Sequence, residues 1–122
     1  MNSEEKFQEI LDKHTERLQN KIPSHSWGIA RKVLNIFLFE AAHNVVLNRN
    51  YNFDKIVPFL EVPLDNPNAQ KLRKYAKSGV LHWTNISSLK RDASMKFQEY
   101  ATQYAQEHNC ERCYLDLYWW RG

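Results

Sequence analysis

The chain has 122 residues, 43% of them hydrophobic and 25% charged, with a net charge of +3. That length supports one hydrophobic core without staples, the composition is not that of a disordered chain, and no apolar run reaches the roughly 18 residues that a membrane crossing needs. Three glycines and four prolines leave few places for hairpin turns, so helices are favoured over a β-sandwich.

In chain order, the first predicted element is a helix that Asn2 or Ser3 can cap, with Glu4 and Glu5 at the positive end of its dipole. Phe7, Ile10, Leu11, His14 and Leu18 recur on one face. The segment Lys21-Ile22-Pro23 ends it, because proline disfavours helical geometry in the residue before it. Ser24 or Ser26 can then cap the stretch from Ser26 to Asn48, which is free of proline and apolar over most of its circumference. At about 100° per residue, Ala30, Leu34, Phe37, Leu38, Ala41 and Val45 share one arc, opposite a side that mixes Arg31, Lys32, Asn35 and His43 with Ile36, Phe39 and Val46. This predicts a central buried helix over about residues 26–48.

Pro58 and Pro63 forbid a long helix in the next segment, whose apolar anchors Phe53, Ile56, Phe59, Leu60, Val62 and Leu64 predict a packed loop. Asp65 before Asn66-Pro67 reads as the N-cap of a helix running to about Lys77, with Ala69, Leu72 and Ala76 inward and Ser78-Gly79 as its stop. Val80 to Leu89 reads as an extended piece and a turn capped by Thr84 or Asn85. Asp92 or Ser88 opens a further helix whose inner face is Ala93, Phe97, Tyr100, Ala101 and Tyr104. The aromatic tail from Cys110 reads equally as a last helix or a strand. The expectation is an all-α, single-domain helical bundle, residues 1–122, around the central helix.

Charge is unevenly placed. Residues 66–98 hold Lys71, Arg73, Lys74, Lys77, Lys90, Arg91 and Lys96 against Asp92 alone, a net of +6. Such an excess can attract phosphates if the side chains converge, and is otherwise a solvated surface. Cys110 and Cys113 have the spacing of a zinc half-site or redox pair, but there is no second cysteine pair and no paired histidine spacing, so no metal site and no cofactor is expected. Two cysteines and an acidic N-terminus without a secretory h-region point to a reducing cytoplasm. Phosphate-cradling glycine loops and nucleophile elbows are absent from the sequence.

The segment Trp27-Gly28-Ile29-Ala30-Arg31-Lys32-Val33-Leu34-Asn35 resembles the hairpin-to-helix segment of the helix-hairpin-helix DNA glycosylase family, and Val62-Pro63-Leu64-Asp65 with Lys71, Arg73 and Lys74 is similar to that family's later helix opening on an aspartate. The resemblance implies that Lys32 matches the nucleophilic lysine and Asp65 the catalytic aspartate, and that Gly28 belongs to a turn holding a DNA phosphate. The Arg31-Lys32-x-x-Asn35 helix and the Leu115-Asp116-x-x-x-Trp120 tail also resemble a group of small bacterial helical proteins, a likeness that implies a helical fold and no activity.

Three functions are therefore expected, in order of preference. The first is DNA or RNA binding with Gly28, Arg31, Lys32, Lys71, Arg73, Lys74, Lys90 and Arg91 on phosphates and Tyr75 and Trp83 beside bases. The second is a protein-interaction or regulatory module acting through the packed loop or the aromatic C-terminus, Tyr114, Tyr118, Trp119 and Trp120. The third is a small glycosylase- or lyase-like enzyme using Lys32 and Asp65.

Overall fold

The computed structural model describes residues 2–77 and 79–121, apart from the side chains of Tyr51, Phe53, Trp120 and Arg121, so the expected stop at Ser78 and the apolar roles of Phe53 and Trp120 lie outside the described residues. Among these residues there are six α-helices and no strand: α1 (Ser3–Lys21), α2 (Trp27–Ala42), α3 (Val45–Tyr51), α4 (Asn66–Tyr75), α5 (Arg91–Glu107) and α6 (Leu115–Arg121). Short 3-10 segments at Phe53–Phe59, Ile86–Ser88 and Arg112–Tyr114 connect them. The all-α expectation holds, and none of the described helices is long and apolar enough to cross a membrane.

Side-chain caps set most of the boundaries. The Asn2 side chain accepts from the Glu5 N–H at 2.8 Å, the Ser26 hydroxyl from Ile29 at 3.1 Å, and the Asp65 carboxylate from Asn68 at 2.9 Å. The predicted unbroken helix from 26 to 48 is a correction. Asn44 adopts an extended conformation and accepts from the Leu47 N–H at 3.0 Å, so its side chain starts a new helix two residues after Ala42 ends the old one. The opening of α5 also differs. Lys90 is its N-terminal boundary, because the Ser88 hydroxyl is bonded to Asn85 in the preceding turn. The C-terminal tail resolves to a helix.

The main core gathers Trp27, Val62, Leu64, Leu72, Leu89, Phe97 and Leu115 from α2, α4, α5, α6 and the segments between them. The packed-loop expectation holds for Leu60, Val62 and Leu64, which are buried although their segment has no regular structure. Buried backbone there needs partners. Gln98 of α5 supplies two, its carbonyl accepting from the Val62 N–H at 3.1 Å and its amide donating to the Val62 carbonyl at 2.8 Å. Arg112 covers two more, donating to the carbonyls of Leu60 at 2.9 Å and Phe59 at 3.0 Å.

The second organising feature is ionic. Arg31 of α2 is 2% exposed and Glu61 is 1% exposed. The guanidinium donates in a fork, Nε to Oε1 at 2.8 Å and Nη2 to Oε2 at 2.9 Å. Its Nη1 donates to Asp12 Oδ1 at 2.8 Å and Thr15 Oγ1 at 3.0 Å on α1, and its plane lies 5.0 Å from the Trp27 ring. Asn35 donates to Glu61 Oε1 at 3.1 Å, and Arg91 of α5 reaches Asp12 Oδ2 at 2.9 Å. Burial opposes the charge on Glu61, but the Arg31 fork, helped by Arg112 and Asn35, outweighs it and holds the carboxyl below its ordinary value.

This network sets the rotation of α2. Its buried residues are Trp27, Gly28, Ala30, Arg31, Asn35, Ala41 and Ala42. The predicted inner arc is only partly inside: Ala30 and Ala41 are buried, Leu34 and Leu38 are half-buried, and Phe37 and Val45 are 59% and 72% exposed. On α1 the same shift buries Leu11 and Thr15 and leaves Ile10 and His14 outside. Gly28 sits where α2 crosses the 86–88 turn, and a Cβ there would lie 2.2 Å from the Ile86 carbonyl oxygen and 2.8 Å from Leu89 Cβ.

Two measurements check this account. Glu61→Ala leaves the Arg31 charge buried beside Asp12 alone, and urea unfolding at neutral pH should show a loss of about 3–5 kcal/mol. Because the folded carboxyl titrates below its unfolded value of 4.5, the stability it supplies is complete above that pH and is lost as pH falls through the lowered value. Gly28→Ala should destabilise by about 1–3 kcal/mol through the clash, opposite in sign to the gain of about 1 kcal/mol that helix propensity alone predicts.

Candidate functional site

The residues expected to act together are distributed over several environments. Gly28 lies inside the first turn of α2, not in a hairpin, and its missing side chain admits the Ile86 carbonyl. Arg31 is 2% exposed and spends four of its five N–H groups on Glu61, Asp12 and Thr15, so its guanidinium is turned inward, away from a surface phosphate. Both are corrections to the phosphate-binding set, and the cause in each case is packing of α2 against its neighbours. Lys32 is half-buried on the wall of a tight cleft formed with Gly28, Asn35, Ile86 and Ser94. Asp65 is not on that wall; it caps α4. Among the described residues no ion pair joins Lys32 to Asp65.

The remaining cations stand on α4 and around the start of α5. Lys71, Lys74 and Lys90 are exposed. Arg73 is half-buried and donates to the Leu81 carbonyl at 3.2 Å and to Gln70 at 3.3 Å, while Arg91 is held by Asp12. Tyr75 and Trp83, the expected base-stacking residues, are engaged in the fold. The Tyr75 hydroxyl donates to Glu107 at 2.7 Å with its ring edge-on to Tyr104, and the Trp83 indole N–H donates to Asn66 at 3.0 Å with its ring edge-on to Phe97.

The C-terminal aromatics are divided between core and surface. Trp119 packs on Tyr104 with ring centroids 5.5 Å apart, and Tyr114 meets His43 Nε2 at 2.7 Å. Tyr118 and Leu117 of α6 are exposed. Cys113 is buried under α2 and the 53–59 turn, and burial pushes its thiol up to about 12; burial also raises Cys110. A raised thiol carries less of the thiolate form on which nucleophilic attack and metal ligation depend. Among the described residues no group of three or more His, Cys, Asp or Glu side chains is placed to hold a metal ion.

What the structure does bring together is apolar and exposed. On α2, Val33, Ile36 and Phe37 face outward with Glu40 as the one charged residue in their arc. Ile10 of α1 extends this surface on one side and Leu117 of α6 on the other; Val45 and Val46 of α3 are exposed as well. Two depressions flank the stripe. One, of about 330 Å³, lies between α1 and α2 and includes Phe7, Ile10, His14, Leu34, Phe37 and Leu38. The other, of about 130 Å³, lies between α2 and α6 and includes Ile36, Pro63 and Leu117. The sequence carried a signal for this surface. Ile36, Phe39 and Val46 lie opposite the predicted inner arc, so one side of the helix cannot bury all of its apolar residues.

No protein-family model matches the chain, and neither a curated protein nor a solved structure matches it, so the likeness to helix-hairpin-helix glycosylases rests on the quoted residues alone.

Proposed function

We propose that this chain is a protein-interaction module that engages its partner through the exposed face of α2. The observation that carries this reading is the run Val33, Ile36 and Phe37, flanked by exposed Ile10 and Leu117. Scattered apolar residues are ordinary on a protein surface, but a contiguous patch on adjacent helices is characteristic of association sites. The chemistry available there is desolvation and shape, with one carboxylate, Glu40, at the edge. Lys32 lines a tight cleft whose walls do not include Asp65.

Selection from a display library of random helical peptides tests the proposal. The chain should retain peptides with apolar residues at i, i+3, i+4 and i+7. Phe37→Asp, an exposed substitution that leaves the helical circular dichroism unchanged, should weaken their binding at least tenfold. Peptides retained equally by both proteins, or no retention at all, would remove the reading.

A second reading keeps nucleic-acid binding on a smaller set of residues, because Lys71, Lys74, Lys90 and Lys96 are all exposed and form no ion pair among the described residues. Affinity for a DNA duplex or a single strand should then fall steeply between about 50 and 200 mM salt. No measurable affinity at the lower salt would end it.

A further inference from the structure

The groove between α1 and α2 has walls of different character. The two helices are joined by the short connector at residues 22–26, so they run antiparallel and the start of α1 lies against the end of α2. The floor is apolar: Phe7 and Ile10 from α1, and Leu34, Phe37 and Leu38 from α2. Along α1, Lys6, Lys13, Arg17 and Lys21 are all exposed. With about 100° per residue, each lies within roughly 60° of Ile10, and Lys6, Lys13 and Arg17 fall on the side of Ile10 away from Phe7 and His14, so the four form a row along the outer rim of the groove. Glu4, Glu9 and Glu16, the nearest exposed acids on α1, are turned about 100–120° away from Ile10 by the same count, Glu9 and Glu16 lying about 40–60° beyond Lys13. None of the four cations is in an ion pair among the described residues. The opposite wall, on α2, is Leu34, Phe37 and Leu38; Val33 is exposed beyond Phe37, and Glu40 borders the other depression, between α2 and α6.

We infer that this groove receives an amphipathic helix of a partner protein that carries a row of acidic residues along one flank. The inference rests on the reading of the α2 face as an interaction surface and specifies the chemistry of its occupant. A furrow between two helices accepts the side-chain ridge of a third. From Lys6 to Lys21 the cationic row is roughly 22 Å long, which matches about four turns of an incoming helix. An apolar face entering the furrow places one flank of that helix over α1 and the other over Val33. Carboxylates on the α1 side meet the cations, and apolar or neutral residues suit the other side. The asymmetry of the walls therefore fixes how the partner is rotated about its own axis. A second copy of this chain answers the cations poorly, because its own exposed α2 stripe contains only Glu40. A bilayer presents no ridge to fill the furrow.

The probe is a fluorescein-labelled, helix-favouring peptide of 18 residues with leucines at i, i+3, i+4 and i+7 and glutamates along one flank, titrated with the full chain by fluorescence anisotropy. Its partner probe replaces each glutamate with lysine. The glutamate peptide should bind saturably, at least tenfold more tightly than the lysine peptide, and more weakly as salt rises. The double variant Lys13→Glu with Arg17→Glu changes only exposed side chains and should reverse that preference. Equal affinity for the two peptides, or a preference unchanged in the double variant, overturns the inference while leaving the apolar interaction face in place. Binding of neither peptide also overturns it, and Phe37-dependent peptides from the display selection would then show that the broader reading survives. Two further results overturn it in favour of another occupant: a concentration-dependent dimer in sedimentation velocity that Phe37→Asp abolishes, or Phe37-dependent binding to vesicles of anionic phospholipid in preference to the glutamate peptide.

Discussion

The fork between Arg31 and Glu61 is the constraint on which the rest of the structure depends. It ties α2 to the irregular segment that precedes α4, and through Asp12 it reaches both α1 and Arg91 of α5. Two charges taken out of water are favourable only when their geometry and remaining hydrogen bonds are nearly complete. Here Asn35 and Thr15 supply the additional bonds. A network of this kind tolerates little rotation of the helix that carries it. Phe37 follows Arg31 by six residues, which places it about 120° away around the helix. Burying Arg31 and Asn35 therefore turns Phe37, Val33 and Ile36 toward solvent. The ionic core and the exposed apolar face are two results of one helix rotation.

The exposed face has a physical cost that the fold does not relieve internally. Apolar area left in water favours association, and the surrounding charges decide with what. The lysines and arginine along α1 give the outer rim of the groove a positive sign, and Glu40 borders the depression on the other side of α2. On the proposed reading, such an arrangement would restrict partners through electrostatics while the apolar floor supplies the desolvation.

The segment from Gly28 to Asn35 shows how one set of residues admits two accounts. Glycine followed by basic residues suits a phosphate-binding turn, and it also suits a helix crossing a tight turn with an arginine facing inward. Residue types do not separate these, because both need a close backbone approach and a cation. The deciding facts are the Ile86 carbonyl over Gly28 and the Glu61 carboxylate beneath Arg31, contributed from 58 and 30 residues downstream.

Local chemistry determined much of this protein from sequence alone. The cap at Asp65, the caps at Asn2 and Ser26 as one of two candidates each, the proline stop after Ile22, the inward Ala69, Leu72 and Ala76 of α4 and the inner face of α5 were legible, because each depends on neighbours within one or two helical turns. The packed character of Leu60 to Leu64 was legible from its apolar anchors. Tertiary structure decided the break at Asn44, since an asparagine that can cap can also continue a helix. It also decided which side of α2 faces inward. Periodicity reports an apolar arc without knowing that a buried carboxylate 30 residues downstream meets Arg31.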